Sequence, residues 1–596
     1  YGVQFTATGF NLQYNDSSAT NASGGTYIYM AFADTREYAY WYDQSGNNND
    51  WTSEGGLTES DVMLDSPTNN FCTFNPLDQL GTLSEGNLKG TPTASKKQLS
   101  TFGASTGKWY WEFYIGGAST LMGVADLTSC NIHNSDHLGS TAYGWGYYTN
   151  GLKYNNNVGS SYGATFTTGD IIGVEVDLDG GTVTFYKNSV SQGQAYSNLT
   201  TGGTFGPANS NGSYAILNTG QDSSFAGNKT PQGNSDSNGI GDFYYAPSSG
   251  FLALCTANLP EVDVIPSENF NTVIYSGNGA SPRSLTGIGF QPDLVWNKAR
   301  NVGYQHDWAD SVRGGNKILH SNSTAVEDVD FIYGYLNSFD ADGFTMQAGS
   351  TSIENWNKSG ETYVAWNWKA GGSAVSNTNG SITSSVSANP SAGFSIVSWS
   401  GDGGSGTVGH SLSQKPQLLI QKNRTNARNW YTFTDIIDGS NDYLKLDTTS
   451  AAAATGMALP TSSVFTNDGW TSSESMISYC FHSVDGYSKV GSYTGNGSAD
   501  GTFVHCGFRP AVFIFKRTDT ASDWIIMDTK RDFYNVADKW LYPNGSYAEE
   551  NGSVREIDFI SNGVKIRTST GGLNASGGTY IFLAFAENPF KHTNAR

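Results

Sequence analysis

The chain has 596 residues, more than one compact domain usually holds, so several domains are expected. It contains 72 glycines, 13% aromatic and only 14% charged residues, a composition typical of short strands joined by tight turns. The net charge of −21 offers no basic footprint for nucleic acid and disfavours anionic membranes, and no apolar run reaches the length of about 18 residues that a membrane span needs.

The first segment of the chain carries a string that recurs near its end. Asn21–Ile28 reads Asn-Ala-Ser-Gly-Gly-Thr-Tyr-Ile, and Asn574–Ile581 has the same eight residues. We therefore interpret residues 1–35 as the C-terminal part of an incomplete repeat module. A β-module cannot bury its core with most of its strands absent, so we expect the natural chain to extend beyond Tyr1, or a neighbouring chain to complete the sheet. Residues 36–66 read as a polar connector.

A different pattern begins after this connector and covers residues 67–260. Gly107–Glu112 (Gly-Lys-Trp-Tyr-Trp-Glu) alternates as a strand does, and a second strand follows Gly169-Asp170. A Gly180-Gly181 turn then leads into Thr182–Asn188, which reads Thr-Val-Thr-Phe-Tyr-Lys-Asn. This order resembles the SPRY family, in which the same strings recur in the same sequence. The resemblance implies a bent antiparallel β-sandwich whose members bind proteins or other ligands through surface loops.

Two groups of residues in this segment invite a functional interpretation. Asp177 and Asp179 flank the Gly180-Gly181 turn, where an Asp before Gly is a favoured turn pair, so we assign them to the hairpin rather than to a metal. Four aromatic residues could stack on a sugar, and core packing is the alternative for at least half of them. These receptor-binding candidates are Tyr143, Trp145, Tyr147 and Tyr148.

Three downstream segments share landmark residues whose offsets from one module to the next agree. They are module A (residues 268–372), module B (393–484) and module C (488–596). Residues 373–392, between modules A and B, read as a flexible Ser/Gly linker. In each module an aromatic residue precedes a Gly-containing turn, and a proline opens an apolar strand that ends on a lysine six residues later. We interpret each module as a β-sandwich, so that the fold class is all-β, and expect one core tryptophan per module at equivalent positions. The landmarks are Tyr275, Trp399 and Tyr493; Pro292–Lys298, Pro416–Lys422 and Pro510–Lys516; and Trp308, Trp430 and Trp524.

The module strings support a second resemblance, which covers nearly the whole chain. Gly289–Lys298 (Gly-Phe-x-Pro-Asp-Leu-Val-Trp-x-Lys) and the Ser-Gly-x-Thr-Tyr strings look like a repeat in structural proteins of marine tailed phages. The order of repeat, SPRY-like domain and further repeats resembles their tail-fibre or receptor-binding proteins. This resemblance implies an extracellular virion location, a host cell-surface glycan or protein as receptor, other virion tail proteins as partners, and a homotrimer. Module B departs from the pattern at Gln414–Pro416 and at Met476–Tyr479, so its surface is the one suspected of another contact.

Catalytic and metal-binding patterns are not evident in the sequence. There is no Gly-x-Ser-x-Gly elbow in a strand–turn–helix context and no His-Glu-x-x-His, the histidines are scattered, and most acidic residues fall in turns. Because the cysteines are odd in number and none sits in a Cys-x-x-Cys pair, we expect plain buried thiols. We therefore predict a binding protein without catalytic residues, cofactor or metal, which acts through surface loops. The alternatives are a tailspike polysaccharide depolymerase, which needs opposed carboxylates, and a bacterial cell-surface adhesin or filament subunit. The cysteines are Cys72, Cys130, Cys255, Cys480 and Cys506.

Overall fold

The fold is built almost entirely from β-strands, which confirms the predicted all-β class. The chain divides into two compact units, Tyr1–Ser66 and Pro67–Arg596. The one α-helical segment in the described parts is a single turn, α1 (Gly571–Asn574), and none of the described helices could span a membrane. A computed structural model of the protein describes residues 3–6, 9–12, 25–27, 29–30, 64–66, 69–130, 132, 136–199, 203–329, 331–351, 353, 355–467 and 472–592.

The first unit contains one described hairpin, in which β1 (Val3–Thr6) pairs antiparallel with β2 (Gly9–Leu12). Within the repeated string at 21–28, the described residues 25–27 are not in a strand, and the following Tyr29 and Met30 are 77% and 80% exposed. Most of the connector at 36–66 lies outside the described residues. The interpretation of residues 1–35 as part of an incomplete module therefore stays a prediction.

The second unit begins with a sandwich of two large antiparallel sheets. One sheet has the order β11-β10-β9-β8-β15-β6-β3, and the other has the order β14-β13-β12-β7-β16-β5-β4, with β17 parallel to β7. The facing sides of the sheets enclose a core rich in aromatic rings, among them Trp111, Phe113 and Phe185. The strands are β3 (Phe74–Gln79), β4 (Gly81–Ser84), β5 (Lys89–Pro92), β6 (Lys97–Ser100), β7 (Lys108–Ile115), β8 (Leu121–Asp126), β9 (Gly144–Tyr148), β10 (Leu152–Asn155), β11 (Val158–Ser161), β12 (Ile171–Asp177), β13 (Thr182–Lys187), β14 (Val190–Tyr196), β15 (Phe205–Ser210), β16 (Ala215–Asn218) and β17 (Leu252–Ala253).

The remaining strands form three sets, one for each predicted module. Module A contains β18 (Phe270–Ser276), β19 (Arg283–Thr286), β20 (Leu294–Ala299), β21 (His306–Asp310), β22 (Leu319–His320), β23 (Tyr335–Asp340), β24 (Gly343–Gln347) and β25 (Thr362–Trp368). The set of module B is β26 (Val375–Asn377), β27 (Ser384–Asn389), β28 (Phe394–Ser400), β29 (Thr407–Gly409), β30 (Leu418–Asn423), β31 (Tyr431–Thr434), β32 (Asp442–Lys445), β33 (Ala453–Ala454), β34 (Val464–Thr466) and β35 (Ser475–Phe481). Module C contains β36 (Ser488–Thr494), β37 (Phe503–His505), β38 (Phe508–Arg517), β39 (Trp524–Asp528), β40 (Lys539–Trp540), β41 (Glu550–Asn551), β42 (Ile557–Ile560), β43 (Gly563–Ile566) and β44 (Thr579–Pro589).

The main sheets of the three modules share one strand order. It runs β18-β25-β20-β21 in module A, β28-β35-β30-β31 in module B and β36-β44-β38-β39 in module C. A small second sheet accompanies each main sheet, for example β19-β24-β23 in module A and β37-β43-β42 in module C. The glycine of the repeated turn is explained by close packing, because a Cβ on Gly277 would lie 1.9 Å from the carbonyl oxygen of Lys358.

The segment between modules A and B is not the flexible linker that its composition indicates. Strands β26 and β27 lie within residues 373–392 and extend the main sheet of module B. Ser384 and Ser387 are buried, and their hydroxyl groups bond to the backbone of Gly409 and Gly371. Serine therefore occurs here because its small side chain satisfies buried backbone groups, which Ser/Gly composition alone does not reveal.

The expected equivalence of the three tryptophans is wrong for module A. Lys516 pairs with Trp524 across β38 and β39, and the register of β30 and β31 places Trp430 opposite Lys422 in the same way. In module A, however, Lys298 pairs with His306, and Trp308 lies two residues farther along β21. A shift of two residues keeps a strand side chain on the same face, so Trp308 still enters the core.

The three modules close into a ring within one chain. At each junction, a backbone carbonyl two residues after the repeated lysine accepts a hydrogen bond from an amide of another module. The amide nitrogen lies 2.6 Å from the oxygen for Glu549 to Arg300, 3.1 Å for Glu327 to Arg424, and 2.8 Å for Ala452 to Thr518. Module A thus contacts C, module B contacts A, and module C contacts B, as three subunits do around a threefold axis.

The centre of this ring is a shared apolar core. Trp308, Trp430 and Trp524 belong to one cluster with aliphatic residues of all three modules. The cavity left at the centre is about 20 Å³ and is lined by apolar side chains, so it is packing space rather than a ligand site.

Two of the three ring junctions contain a buried arginine. Arg313 of module A donates to Asp310 and Glu327, and the same Glu327 pairs with Arg424 of module B. Arg531 makes the matching set with Asp528 and Glu549 at the junction of modules C and A, where Arg300 is the pairing arginine. At the junction of modules B and C, the corresponding positions carry Thr434, Ile437, Ala452 and Thr518, so this junction lacks the ionic set.

The sandwich packs on module C of the ring. The rings of Phe102 and Phe590 lie 4.6 Å apart, and Lys565 Nζ donates to the carbonyl oxygen of Leu77 at 3.1 Å. Beside these contacts, burial raises the pKa of Asp78 to about 7, although Lys565 and Lys97 act against the rise. The sandwich and the ring therefore meet through apolar packing with a titratable group at its edge.

Candidate functional site

An open pocket of about 210 Å³ lies where module A meets module C. Its walls come from loops that the strand framework fixes in place: the β20–β21 loop, the end of β22, the loops before β23 and β25, and the loop after β40 of module C. Loops held by a rigid sheet scaffold are the usual location of binding residues. The lining includes Tyr304, Gln305, His320, Tyr333, Asn355 and Ser546.

A buried ion pair forms one wall of the pocket. The Nδ1 atom of His320 lies 2.8 Å from Oδ1 of Asp307 on the adjacent strand, and Nε2 lies 3.8 Å from Oδ2 of Asp328. Burial opposes the charge on His320, but the two carboxylates outweigh it and raise its pKa to about 9. Below that pH the imidazole is protonated, so it acts as a hydrogen-bond donor and not as a general base.

Asn355 contributes an acceptor that lacks a protein partner. Its Nδ2 atom donates to Asp307 at 3.2 Å, and its backbone amide donates to the carbonyl oxygen of Tyr333 at 2.8 Å. These contacts fix the side chain, which is only 2% exposed. The Oδ1 atom nevertheless accepts no hydrogen bond from the described part of the protein. A buried amide oxygen without a donor is costly, so a ligand that donates to it would be favoured.

Aromatic and hydrophobic residues surround the polar wall. Tyr304 and Tyr333 are half-buried in the lining, and the hydroxyl group of Tyr304 lies 3.3 Å from Nζ of Lys358. Phe331 and Ile332, which immediately precede Tyr333, are exposed. The pocket thus combines flat apolar faces with a few fixed polar atoms, an arrangement common in small-molecule sites.

The histidine–aspartate pair occurs in module A alone. Strand register places Tyr431 and Lys445 of module B where module A has Asp307 and His320. In module C, the bridge between Ile526 and Leu541 places Ile525 and Tyr542 at these positions. The ring therefore carries three copies of one fold but one copy of this site.

The structure separates the four aromatic residues predicted for receptor binding. Trp145 and Tyr147 are fully buried in the sandwich core, so the prediction that they contact a receptor is wrong. Both lie on the face of β9 that the opposite sheet covers, and Gly144 and Gly146, which alternate with them along the strand, have no side chain to expose. Tyr148 is half-buried beside Tyr154, and Tyr143 is 41% exposed.

The acidic residues of the SPRY-like hairpin, Asp177 and Asp179, make structural hydrogen bonds. Asp177 accepts from the amide of Gly180 at 2.8 Å and pairs with Lys108 at 2.9 Å. Asp179 accepts from the amide of Gly107 at 2.9 Å. Over the described ranges, no cluster of three or more His, Cys, Asp or Glu side chains has the arrangement of a metal site. All five cysteines are buried, as expected.

Inspection of the sequence missed the module A pocket. Asp307 and His320 are 13 residues apart and fit no short motif, and the histidines look scattered because their strand pairing is not visible in a linear sequence. The available signal was the repeat itself. Once the three modules are aligned by strand, Asp307 and His320 are polar, titratable positions at which module A differs from both other copies.

Two family models match the chain. The model described as "Domain of unknown function (DUF7483)" matches residues 265–589, which span all three modules and more than half of the chain. The model described as "SPRY domain" matches residues 108–221. The SPRY assignment made from the strand strings is thereby confirmed.

Relatives and solved structures match smaller parts of the chain. ATP-dependent RNA helicase DDX1 of Xenopus laevis is 26% identical over 235 residues, 39% of this chain and 28% of the helicase. The probable ATP-dependent RNA helicase ddx1 of Dictyostelium discoideum is 28% identical over 109 residues, 18% of this chain and 14% of its own length. The SPRY domain of human HERC1 is 21% identical with a TM-score of 0.20, covering 26% of this chain and 95% of that domain. The TRIM65 PSpry domain is 18% identical with a TM-score of 0.21, and the match covers 25% of this chain and 92% of that domain.

Proposed function

We propose, on the premise that the chain belongs to the DUF7483 family and carries a SPRY domain, that it is a receptor-binding protein of a bacteriophage tail fibre. In this role it is a structural component of the virion, extracellular and non-enzymatic, and it attaches the particle to the host cell surface. The observation that carries the proposal is the open pocket of module A, which stands on a closed ring of β-modules. The resemblance of the repeats to structural proteins of marine tailed phages supplies the biological setting.

The architecture suits recognition by a preformed surface. The ring junctions and the shared core hold the loops around the pocket in one arrangement before a ligand arrives. A site that is already ordered loses little conformational entropy on binding. Affinity at a single site need not be high, because several copies on one virion raise the effective concentration of the remaining sites.

The partners follow from the same proposal. A host cell-surface glycan or protein is the receptor, other virion tail proteins hold the chain, and neither nucleic acid, membrane insertion nor a cofactor is required. The homotrimer implied by the phage resemblance is also part of the proposal. Because the modules already satisfy each other's junctions within one chain, a trimer must use other surfaces. Its mass in solution would be three times 63.8 kDa.

Binding to whole cells tests the proposal. Fluorescently labelled protein is titrated onto a panel of marine bacterial isolates, with unlabelled protein as competitor. We expect saturable, competed binding to a subset of isolates, with no increase in reducing ends in the medium. Absence of saturable binding across the panel would contradict attachment. Release of oligosaccharides that stops when one or two carboxylates are changed to amides would favour the depolymerase instead.

A further inference from the structure

We propose that the module A pocket binds one neutral, hydroxyl-bearing sugar unit of a surface glycan, an inference that rests on the proposed receptor-binding function. The ligand class follows from three features of the pocket. Asn355 has an acceptor oxygen without a partner, His320 is a donor whose charge is already compensated, and the volume holds one sugar unit. Each feature belongs to residues that lie apart from the SPRY domain.

The acceptor requires a donor on the ligand. Oδ1 of Asn355 is buried and has no hydrogen-bond partner in the described part of the chain, while Nδ2 is held by Asp307. Asn355 lines the pocket, so the pocket is the side from which a donor can meet this enclosed oxygen. A sugar hydroxyl can donate to this oxygen and still accept a second hydrogen bond through its lone pairs.

The charges argue against an acidic ligand. Among the described residues that line the pocket, His320 is the one that carries a positive charge at neutral pH. That charge is compensated by Asp307 at 2.8 Å and Asp328 at 3.8 Å. A carboxylate on the ligand would lose its hydration and would approach two acidic side chains. The nearby cation Lys358 is already engaged, because its Nζ atom donates to the hydroxyl group of Tyr304 at 3.3 Å. A hydroxyl oxygen can instead accept from Nε2 of His320 at no charge cost.

The size and shape of the pocket favour a single sugar unit. The pocket of about 210 Å³ is smaller than the sites of about 300–1,000 Å³ that enclose drug-sized ligands, so a single sugar fits and an oligosaccharide must continue outside. The rings of Tyr304 and Tyr333 offer apolar faces for the C–H groups of a pyranose. The exposed Phe331 and Ile332 provide surface beside the entrance for the following part of a glycan.

The experiment measures binding of simple sugars to the full chain. The probes are the methyl glycosides of glucose, galactose, mannose and N-acetylglucosamine, with methyl glucuronide as the acidic counterpart, detected by saturation-transfer NMR. We expect at least one neutral glycoside to bind with a Kd on the order of 1 mM, and the glucuronide to bind at least tenfold more weakly.

Two matched variants at Ser546 assign the signal to the pocket. Ser546→Ala removes the hydroxyl but leaves the cavity open, whereas Ser546→Phe fills it from the module C side. We expect Ser546→Phe to lose binding, whereas Ser546→Ala, which leaves the cavity open, should weaken binding less than Tyr333→Ala does. Tyr333→Ala should weaken binding roughly fivefold to tenfold through loss of the aromatic face. Tyr143→Ala, on the SPRY domain, should leave it unchanged.

The outcomes separate this inference from the function on which it rests. Cell binding without any neutral-sugar binding, or sugar binding that survives Ser546→Phe, would overturn the inference and leave receptor binding intact. Tighter binding of the glucuronide would overturn the charge argument and with it the ligand class. Absence of saturable cell binding by the wild-type protein would contradict the proposed function itself. Circular dichroism and the melting temperature of each variant confirm that the fold is retained.

Discussion

Removing Arg313 should weaken the junction between modules A and B far more than replacing the whole ionic set. The Arg313 guanidinium is fully buried and donates to Asp310 at 2.5 Å, to the carbonyl oxygen of Trp308 at 3.0 Å and to Glu327 at 3.2 Å. Arg313→Ile leaves the carboxylates of Asp310 and Glu327 buried without this partner. Breaking a buried pair from one side costs about 3–5 kcal/mol.

The chain itself supplies the matched control. The junction between modules B and C has Thr434, Ile437, Ala452 and Thr518 at the corresponding positions, and it closes without the arginine–carboxylate set. The combined variant Asp310→Thr, Arg313→Ile, Glu327→Ala and Arg424→Thr introduces these four residues and leaves no uncompensated charge. The hydroxyl group at position 310 can then accept from Tyr479, which donates to Asp310 at 2.7 Å in the wild type. Replacing a complete buried ionic set by apolar residues is often neutral or stabilising. We therefore expect the fourfold variant to be clearly more stable than Arg313→Ile.

Thermal unfolding followed by near-UV circular dichroism compares the two variants. For a ring of this size, a loss of 3–5 kcal/mol corresponds to a fall in melting temperature on the order of 5–15 °C. We expect that fall for Arg313→Ile and recovery of most of it in the fourfold variant. The ionic set would not stabilise the junction in this way if Arg313→Ile melted within about 1 °C of wild type, or if the fourfold variant melted lower than Arg313→Ile.

Three further predictions concern pH and burial. Because the folded pKa of His320 is raised to about 9 from 6.5, the folded state binds the extra proton between these values. The contribution of His320 to stability is fully present below pH 6.5 and is lost as the pH rises through 9. Burial raises the pKa of its partner Asp307 as well, so the carboxylate adds no stability of its own in this window. The whole shift corresponds to roughly 3 kcal/mol. Because Asp307 is the larger of the two carboxylate contributions, Asp307→Asn should remove most of this pH dependence in urea unfolding, and identical pH profiles of variant and wild type would exclude it. The pKa of Asp78 is raised from 3.8 to about 7, so the folded state also binds an extra proton between these values and stability falls as the pH rises from 4 to 7. Asp78→Asn should therefore flatten the dependence of the melting temperature on pH in this range. Trp145→Ala should cost about 3–5 kcal/mol in urea unfolding because its side chain is fully buried, whereas Tyr143→Ala should change the free energy of unfolding by less than about 0.5 kcal/mol.

Much of the fold could be predicted from the sequence because its signals are local. The alternating strand Lys108–Ile115 and its hairpin partners identified the SPRY domain, and the proline-to-lysine strands identified the repeat. Such patterns depend on residues that are close in sequence. The Ser/Gly segment was misread because buried serines that satisfy backbone groups have the same composition as a flexible linker.

The ring and the pocket could not be predicted in this way. Arg424 and Glu327 are 97 residues apart, and nothing in either segment alone shows that modules B and A meet there. The pocket depends on this closure, because Ser546 of module C completes a wall that begins in module A. Asp307 and His320 also differ from the residues at the same positions in modules B and C, so a comparison of what the modules share does not identify them.

Adsorption of the two Ser546 variants to cells tests whether the module A pocket mediates attachment. Wild-type protein, Ser546→Ala and Ser546→Phe are titrated onto the same bacterial isolate, and the three binding isotherms are compared. If the module A pocket mediates attachment, Ser546→Phe loses saturable binding while keeping its melting temperature, and Ser546→Ala retains saturable binding. Equal binding by all three proteins would contradict this function of the pocket, because attachment would then not depend on it.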